Sequence, residues 1–169
     1  PDGRGRCFCS LHPMLALADK ELSWRKLDSA YFTFDGGDNA YECVHPLIDA
    51  LGIRAERIDA GVKILYHAAC VCASNLVCAL AYDAEKLLRE CGLSGEFASA
   101  AWKALFAGNA ENIVRSDPVT ALTGPVERGD TATVAAHMEA LAGRDDMLDS
   151  YVALTKTLTE MARAKHREG

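Results

Sequence analysis

Ile64–Tyr82 is a run of nineteen residues with no Asp, Glu, Lys or Arg. A run of that length and apolarity is long enough to span a bilayer as a helix. Helical geometry argues for another use. With His67 set at zero and about 100° per residue, Lys63 falls near −40°, Ser74 near −20° and Asn75 near +80°. Cys70 and Cys78 lie on the same side. The polar groups share one stripe, and Ile64, Leu65, Ala68, Ala69, Ala73, Leu76 and Leu80 occupy the other side. A lipid-facing helix has no use for that alignment. Small residues in its middle suit close packing by neighbouring helices. The expectation is the buried central helix of a soluble domain, with no membrane partner.

Axial rise divides the stripe. Lys63 and His67 are about 6 Å apart along the axis, close enough to share one reaction centre. Asn75 lies about 12 Å beyond His67 and is expected to belong to a different contact. A solvated first-turn lysine and a core histidine bonded to a carbonyl are the structural readings of the same two residues.

The chain changes character near Asp59. Residues 1–58 read as a small α/β segment. Cys7–Leu11 and Ala30–Phe34 are short, β-prone apolar runs expected to be buried strands, and Ile53–Ile58 reads as a third strand. Asp35-Gly36-Gly37-Asp38 reads as a turn, with Asp38 or Asn39 capping a helix that ends near Leu51 at Gly52. Pro46 predicts a kink or a late start in that helix. Strand–helix–strand with short links is a parallel crossover. Three strands and one helix leave a sheet face uncovered, so a missing upstream half, a partner chain or the helical domain is expected to cover it.

Residues 59–169 read as all helical. Asp59 caps the central helix, which is expected to run to Gly92. Ser94 caps a helix ended by Asp117-Pro118, Asp130 caps another, and Asp145 or Asp146 opens the last. That last helix ends in Arg163, Lys165 and Arg167, which suits its dipole. The fold class is mainly α, a helical domain preceded by a small, incomplete α/β segment.

Composition bounds the function. With 24 acidic and 18 basic residues among 169, the net charge is −6, and no Lys/Arg cluster stands out in the sequence. A nucleic-acid partner is not expected. The seven cysteines form no C-x-x-C pair, so no metal site is expected. Reduced thiols point to a cytoplasmic protein. The chain opens on Pro1 rather than Met, without an apolar signal segment, and is expected to be a processed or truncated piece.

A family resemblance rests on three stretches. They are Ser10-Leu11-His12-Pro13-Met14; Lys63-x-x-Tyr66-His67-Ala68-Ala69 continuing to Ser74-Asn75; and Ala121-Leu122-Thr123-Gly124-Pro125-x-x-Arg128-Gly129-Asp130 with His137. Together they resemble the Rossmann-like proteins with the domain of unknown function 2520, over roughly Cys7 to Met161. The resemblance implies an NADP-dependent oxidoreductase acting on a small carbonyl or imine. It is similar in plan to pyrroline-carboxylate reductases, hydroxyacid dehydrogenases and proteins like the C-terminal part of 6-phosphogluconate dehydrogenase. That plan pairs an N-terminal dinucleotide domain with a helical domain that forms a homodimer and closes the cleft.

Two departures qualify it. The fingerprint Gly-x-Gly-x-x-Gly is absent from this sequence, so on the family plan the α/β segment is the tail of a nucleotide domain, and the isolated chain should bind cofactor poorly. Hydroxyacid dehydrogenases of this plan place Lys and Asn one turn apart, whereas here His67 follows Lys63. Lys63 and His67 are then the expected catalytic pair, as proton donor and orienter. His12, after a strand end and before Pro13, resembles the His-Pro element of prephenate dehydrogenases and is a further catalytic candidate. Ser10, Ser74, Asn75, Thr123 and Arg128 are the expected substrate or cofactor contacts. Arg128 is suited to a cofactor phosphate or a partner-chain carboxylate. In Thr123-Gly124-Pro125, Gly serves the turn and Pro a first helical position. The alternative is a helical dimerisation or binding module without catalysis.

Overall fold

The computed structural model describes residues 7–17, 19 and 21–167. The chain divides into two compact units, one ending at Cys78 and one starting at Ala79.

The first unit contains strands β1 (Cys9–Pro13), β2 (Tyr31–Gly36) and β3 (Arg54–Arg57), helix α1 (Asp38–Ala50) and helix α2 (Lys63–Ala73). Sheet order is β1-β2-β3. β2 and β3 are parallel and joined through α1, as the crossover pattern predicts. β1 runs antiparallel to β2, with Ser10 opposite Asp35 and His12 opposite Thr33. Asp35 and Gly36 are therefore strand residues, and the expected four-residue turn shrinks to Gly37. Helix α1 begins at Asp38 and runs through Pro46, so the late start is not found. Gly52 closes α1 with φ +63°, the left-handed cap expected there. A 3-10 turn at Ser23–Ser29, unmarked in the sequence pattern, precedes β2.

Neighbouring β2 residues point to opposite faces. Phe34, 1% exposed, packs with α1, and its ring meets Tyr41 edge-on at 5.3 Å. Thr33 is buried on the other face, where Tyr66 of α2 hydrogen-bonds it. The start of α2 thus supplies part of the cover that the sheet lacked in the sequence reading. β1 is not a buried strand: Cys9 and His12 are exposed.

The expected continuous central helix is interrupted. A 3-10 turn (Ala60–Val62) leads into α2, which ends at Ala73, and α3 (Asn75–Glu90) follows. Ser74 is non-helical, at φ −131° and ψ −77°. Its hydroxyl donates to the Cys70 carbonyl at 2.6 Å, and its amide bonds Val71 O at 3.2 Å rather than Cys70 O. By length and composition, one helical stretch among the described residues, Ala60–Glu90, could cross a membrane. None of its residues is buried: Ile64 is 83% exposed and Leu65 73%. The expectation of a buried helix is not met: its apolar side is exposed among the described residues.

The second unit holds the rest of α3, then α4 (Gly95–Arg115), α5 (Pro118–Ala121), α6 (Thr131–Ala140) and α7 (Asp145–Lys165). Ser94, Asp117 and Asp130 cap α4, α5 and α6 through their side chains. α5 is a helix that the sequence reading took for loop. Pro125 does not open a helix; it starts a single turn closed at Gly129, φ +69°, by the Asp130 amide bonding Pro125 O at 2.8 Å. Trp102 Nε1 donates to Glu85 at 2.6 Å, tying α4 to α3. Arg144 binds Glu90 at 2.6 Å.

Candidate functional site

Register brings the site of the first unit together. Ser10, His12, Thr33 and Asp35 stand on one face of the β1–β2 pair, because opposed residues in an antiparallel ladder point the same way. Helix α2 presents Lys63, Tyr66, His67 and Cys70, at spacings of three and four, to that neighbourhood. Lys63 Nζ lies 2.8 Å from Asp35 Oδ2. His12 Nδ1 lies 2.8 Å from the Tyr66 hydroxyl. The His12 and His67 rings meet nearly edge-on, with centroids 6.5 Å apart.

Tyr66 is the centre of this arrangement. Burial raises its phenol above the ordinary value, the Thr33 hydroxyl bond lowers it, and Cys70 raises it again. The net direction is up, so Tyr66 holds its proton at neutral pH. When that proton is donated to His12 Nδ1, the opposite ring nitrogen of His12 carries hydrogen and is a donor.

Beside this pair opens a cavity of about 670 Å³. His12, His67, Cys70, Ser74 and Asn75 supply its polar lining. Met14, Leu17 and Val71 are among its apolar lining. The size and the mix suit a small-molecule site.

The sequence candidates separate as follows. His12, His67, Ser74 and Asn75 share the cavity. Lys63 does not line it; Asp35 holds it instead. Asn75 joins the histidines, contrary to the axial arithmetic, because the break at Ser74 ends the ideal helix on which that arithmetic rests. The Ser74 hydroxyl also lies 3.0 Å from Asn75 Oδ1. Ser10 stands beside Asp35 rather than in the cavity. Thr123 and Arg128 belong to the second unit; Thr123 is exposed, and Arg128 lines a different cavity. Sequence reasoning passed over Tyr66 and Asp35. The signal for Tyr66 was its position three after Lys63, on the same helical face. Asp35 was masked by the two glycines that follow it.

In the first unit, α1 carries Asp38 in its first turn, paired to Arg57 at 2.8 Å.

The fold and site define a mainly helical protein with a small α/β segment and an open, mixed polar and apolar cavity beside its sheet. The family described as Domain of unknown function (DUF2520) matches residues 30–158, and the chain belongs to that family. His12 lies before the matched span. A comparison with curated proteins finds no match. Among solved structures, protein TM1727 from Thermotoga maritima is similar at 27% identity and TM-score 0.80, over 94% of this chain and 62% of that one. The structure named "putative NADP oxidoreductase BF3122" from Bacteroides fragilis is similar in fold at 20% identity and TM-score 0.73, over 94% of this chain and 60% of that one. The chain therefore spans about three fifths of the length of these two solved proteins.

Proposed function

We propose that this chain is the substrate-side and dimer-forming part of a cytoplasmic NADP-dependent oxidoreductase acting on a small carbonyl or imine compound. The observation that carries this reading is the Tyr66–His12 hydrogen bond at the edge of a cavity that also holds His67 and Asn75. His12, with its outer ring nitrogen protonated, donates to a substrate oxygen or nitrogen. His67, beside it, is the second group able to hold a proton. Asn75 and Ser74 orient the substrate. Lys63 anchors α2 to β2 through Asp35. Support for NADP comes from the name of the Bacteroides fragilis neighbour.

Exposed apolar side chains support a homodimer: Ile64 and Leu65 in the first unit, and Leu105 and Val114 in the second, are each more than 70% exposed. All seven cysteines are free thiols, in keeping with a reducing compartment.

The test is NADPH oxidation by the longest natural form of the protein, assayed over small keto and imino acids. His12→Ala and His67→Ala should each lower kcat by about a hundredfold or more, with NADPH affinity kept. Unchanged turnover in both variants would sink the reading and favour the non-catalytic dimerisation module.

A further inference from the structure

We infer that the second unit carries a binding site for a phosphate group, formed by the Pro125–Gly129 turn and the end of α7. A cavity of about 460 Å³ lies there. Arg128 reaches it from the turn, and Arg163 and Arg167 from α7 and its C-terminal extension. The site is independent of the His12 cavity.

The pairing of arginines carries the inference. In this acidic chain, described arginines elsewhere have partners. Arg57 pairs with Asp38, Arg89 with Glu85, Arg115 with Glu111 and Arg144 with Glu90. Arg25 stacks over Trp24 and Arg54 over Tyr31. Among the described residues, the side chains of Arg128, Arg163 and Arg167 have no ion pair, ring partner or hydrogen bond, and all three line one cavity. Among the described residues lining it, the only carboxylate is Glu127, which already has Lys165 Nζ at 3.7 Å and His166 Nε2 at 3.6 Å. Asp130, nearby in sequence, feels the Arg128 charge but is held by the Thr133 hydroxyl and amide.

The helix dipole accounts for basic residues in the last turn of α7. It does not account for Arg128, which comes from a separate turn, nor for three guanidinium groups with no ion pair among the described residues. Like charges gathered around one hollow repel, and an anion placed among them removes that cost. Guanidinium forks match the oxygens of phosphate, and a dianion balances the local excess better than a single carboxylate does. Buried Ala162 lines the cavity without competing polar groups. The volume admits a phosphate together with a small organic body.

Titration calorimetry at low salt on the whole chain tests this, with inorganic phosphate, pyrophosphate and acetate. Phosphate and pyrophosphate should bind saturably and acetate should not. Arg163→Gln and Arg128→Gln should each weaken pyrophosphate at least tenfold. Arg128→Lys should recover part of the loss, and Arg115→Gln, outside the cavity, should change nothing. Circular dichroism confirms that each variant is folded. Adenosine 2′-phosphate or glycerol 3-phosphate binding more tightly than inorganic phosphate would support the site and distinguish a nucleotide source from a small ester. Absence of saturable phosphate binding, or equal binding by Arg163→Gln, Arg128→Gln and the parent chain, overturns the inference.

Discussion

Tyr66 joins three elements through one oxygen: His12 of β1, Thr33 of β2 and Cys70 of its own helix. Removing that oxygen leaves the buried Thr33 hydroxyl without its acceptor and His12 free to turn. Tyr66→Phe should cost about 1–2 kcal/mol of stability. A shift in the urea midpoint at constant m-value checks it. The phenol itself should titrate above the ordinary tyrosine value of 10.0, followed by difference absorbance near 295 nm. Its folded form holds the proton more tightly than the unfolded chain. The associated stability is therefore complete below pH 10 and lost as pH rises toward the folded value. At this scale the sequence was half legible. His12 and His67 stand out as residue types, and His-Pro after a strand marks a ligand position. Nothing local connects residue 12 to residue 66, because that hydrogen bond depends on antiparallel register between strands with a 3-10 turn between them.

Among the elements, the α2–α3 break overrules helix periodicity. An apolar run with no Pro or Gly predicts one helix, and 100° steps follow from it. The chain leaves helical geometry at Ser74, whose hydroxyl bonds the Cys70 carbonyl, and the steps no longer apply beyond it. Ser74→Ala should let the residue 74 amide bond Cys70 O. That amide should then exchange more slowly, with stability changed by no more than about 0.5 kcal/mol. Asn75 should leave the cavity wall, and amide exchange with chemical-shift mapping of Asn75 reads both effects. The Ser94 and Asp130 caps were more legible, since each acts within three residues of itself, whereas Asp117 reads as a helix end rather than as the cap of α5. In the second unit the Arg89 side chain lowers Glu85, with help from Trp102. The Thr120 hydroxyl lowers Asp117, and the Thr133 hydroxyl lowers Asp130. Each folded value sits below the unfolded one, so the folded state binds fewer protons. Their stabilisation is full above the ordinary values of 4.5 for Glu85 and 3.8 for the aspartates, and is lost as pH falls through the depressed range. The thermal midpoint should hold steady from pH 7 to 5 and drop steeply toward pH 3.

For the whole molecule, the exposed apolar sides of α2, α3 and α4 predict self-association. Light scattering on eluted protein should give about twice the chain mass of 18.2 kDa at micromolar concentration. Ile64→Asp combined with Leu105→Asp should shift it to the monomer without loss of helix signal. A monomer in the parent chain would refute the dimer. The sequence by itself determined the broad order of a small α/β segment followed by helices, the parallel β2–α1–β3 crossover, the Ser94 and Asp130 caps and the family. These follow from contacts between near neighbours or from motifs read along the chain. Only the tertiary structure decided that β1 is antiparallel, that Lys63 belongs to Asp35 while His67 belongs with His12, and that Asn75 shares their cavity. It also decided that Arg128 joins the arginines of α7 around one hollow. Those choices rest on strand register, a side-chain bond that interrupts a helix, and the approach of segments far apart in the chain. No periodicity in one dimension records them.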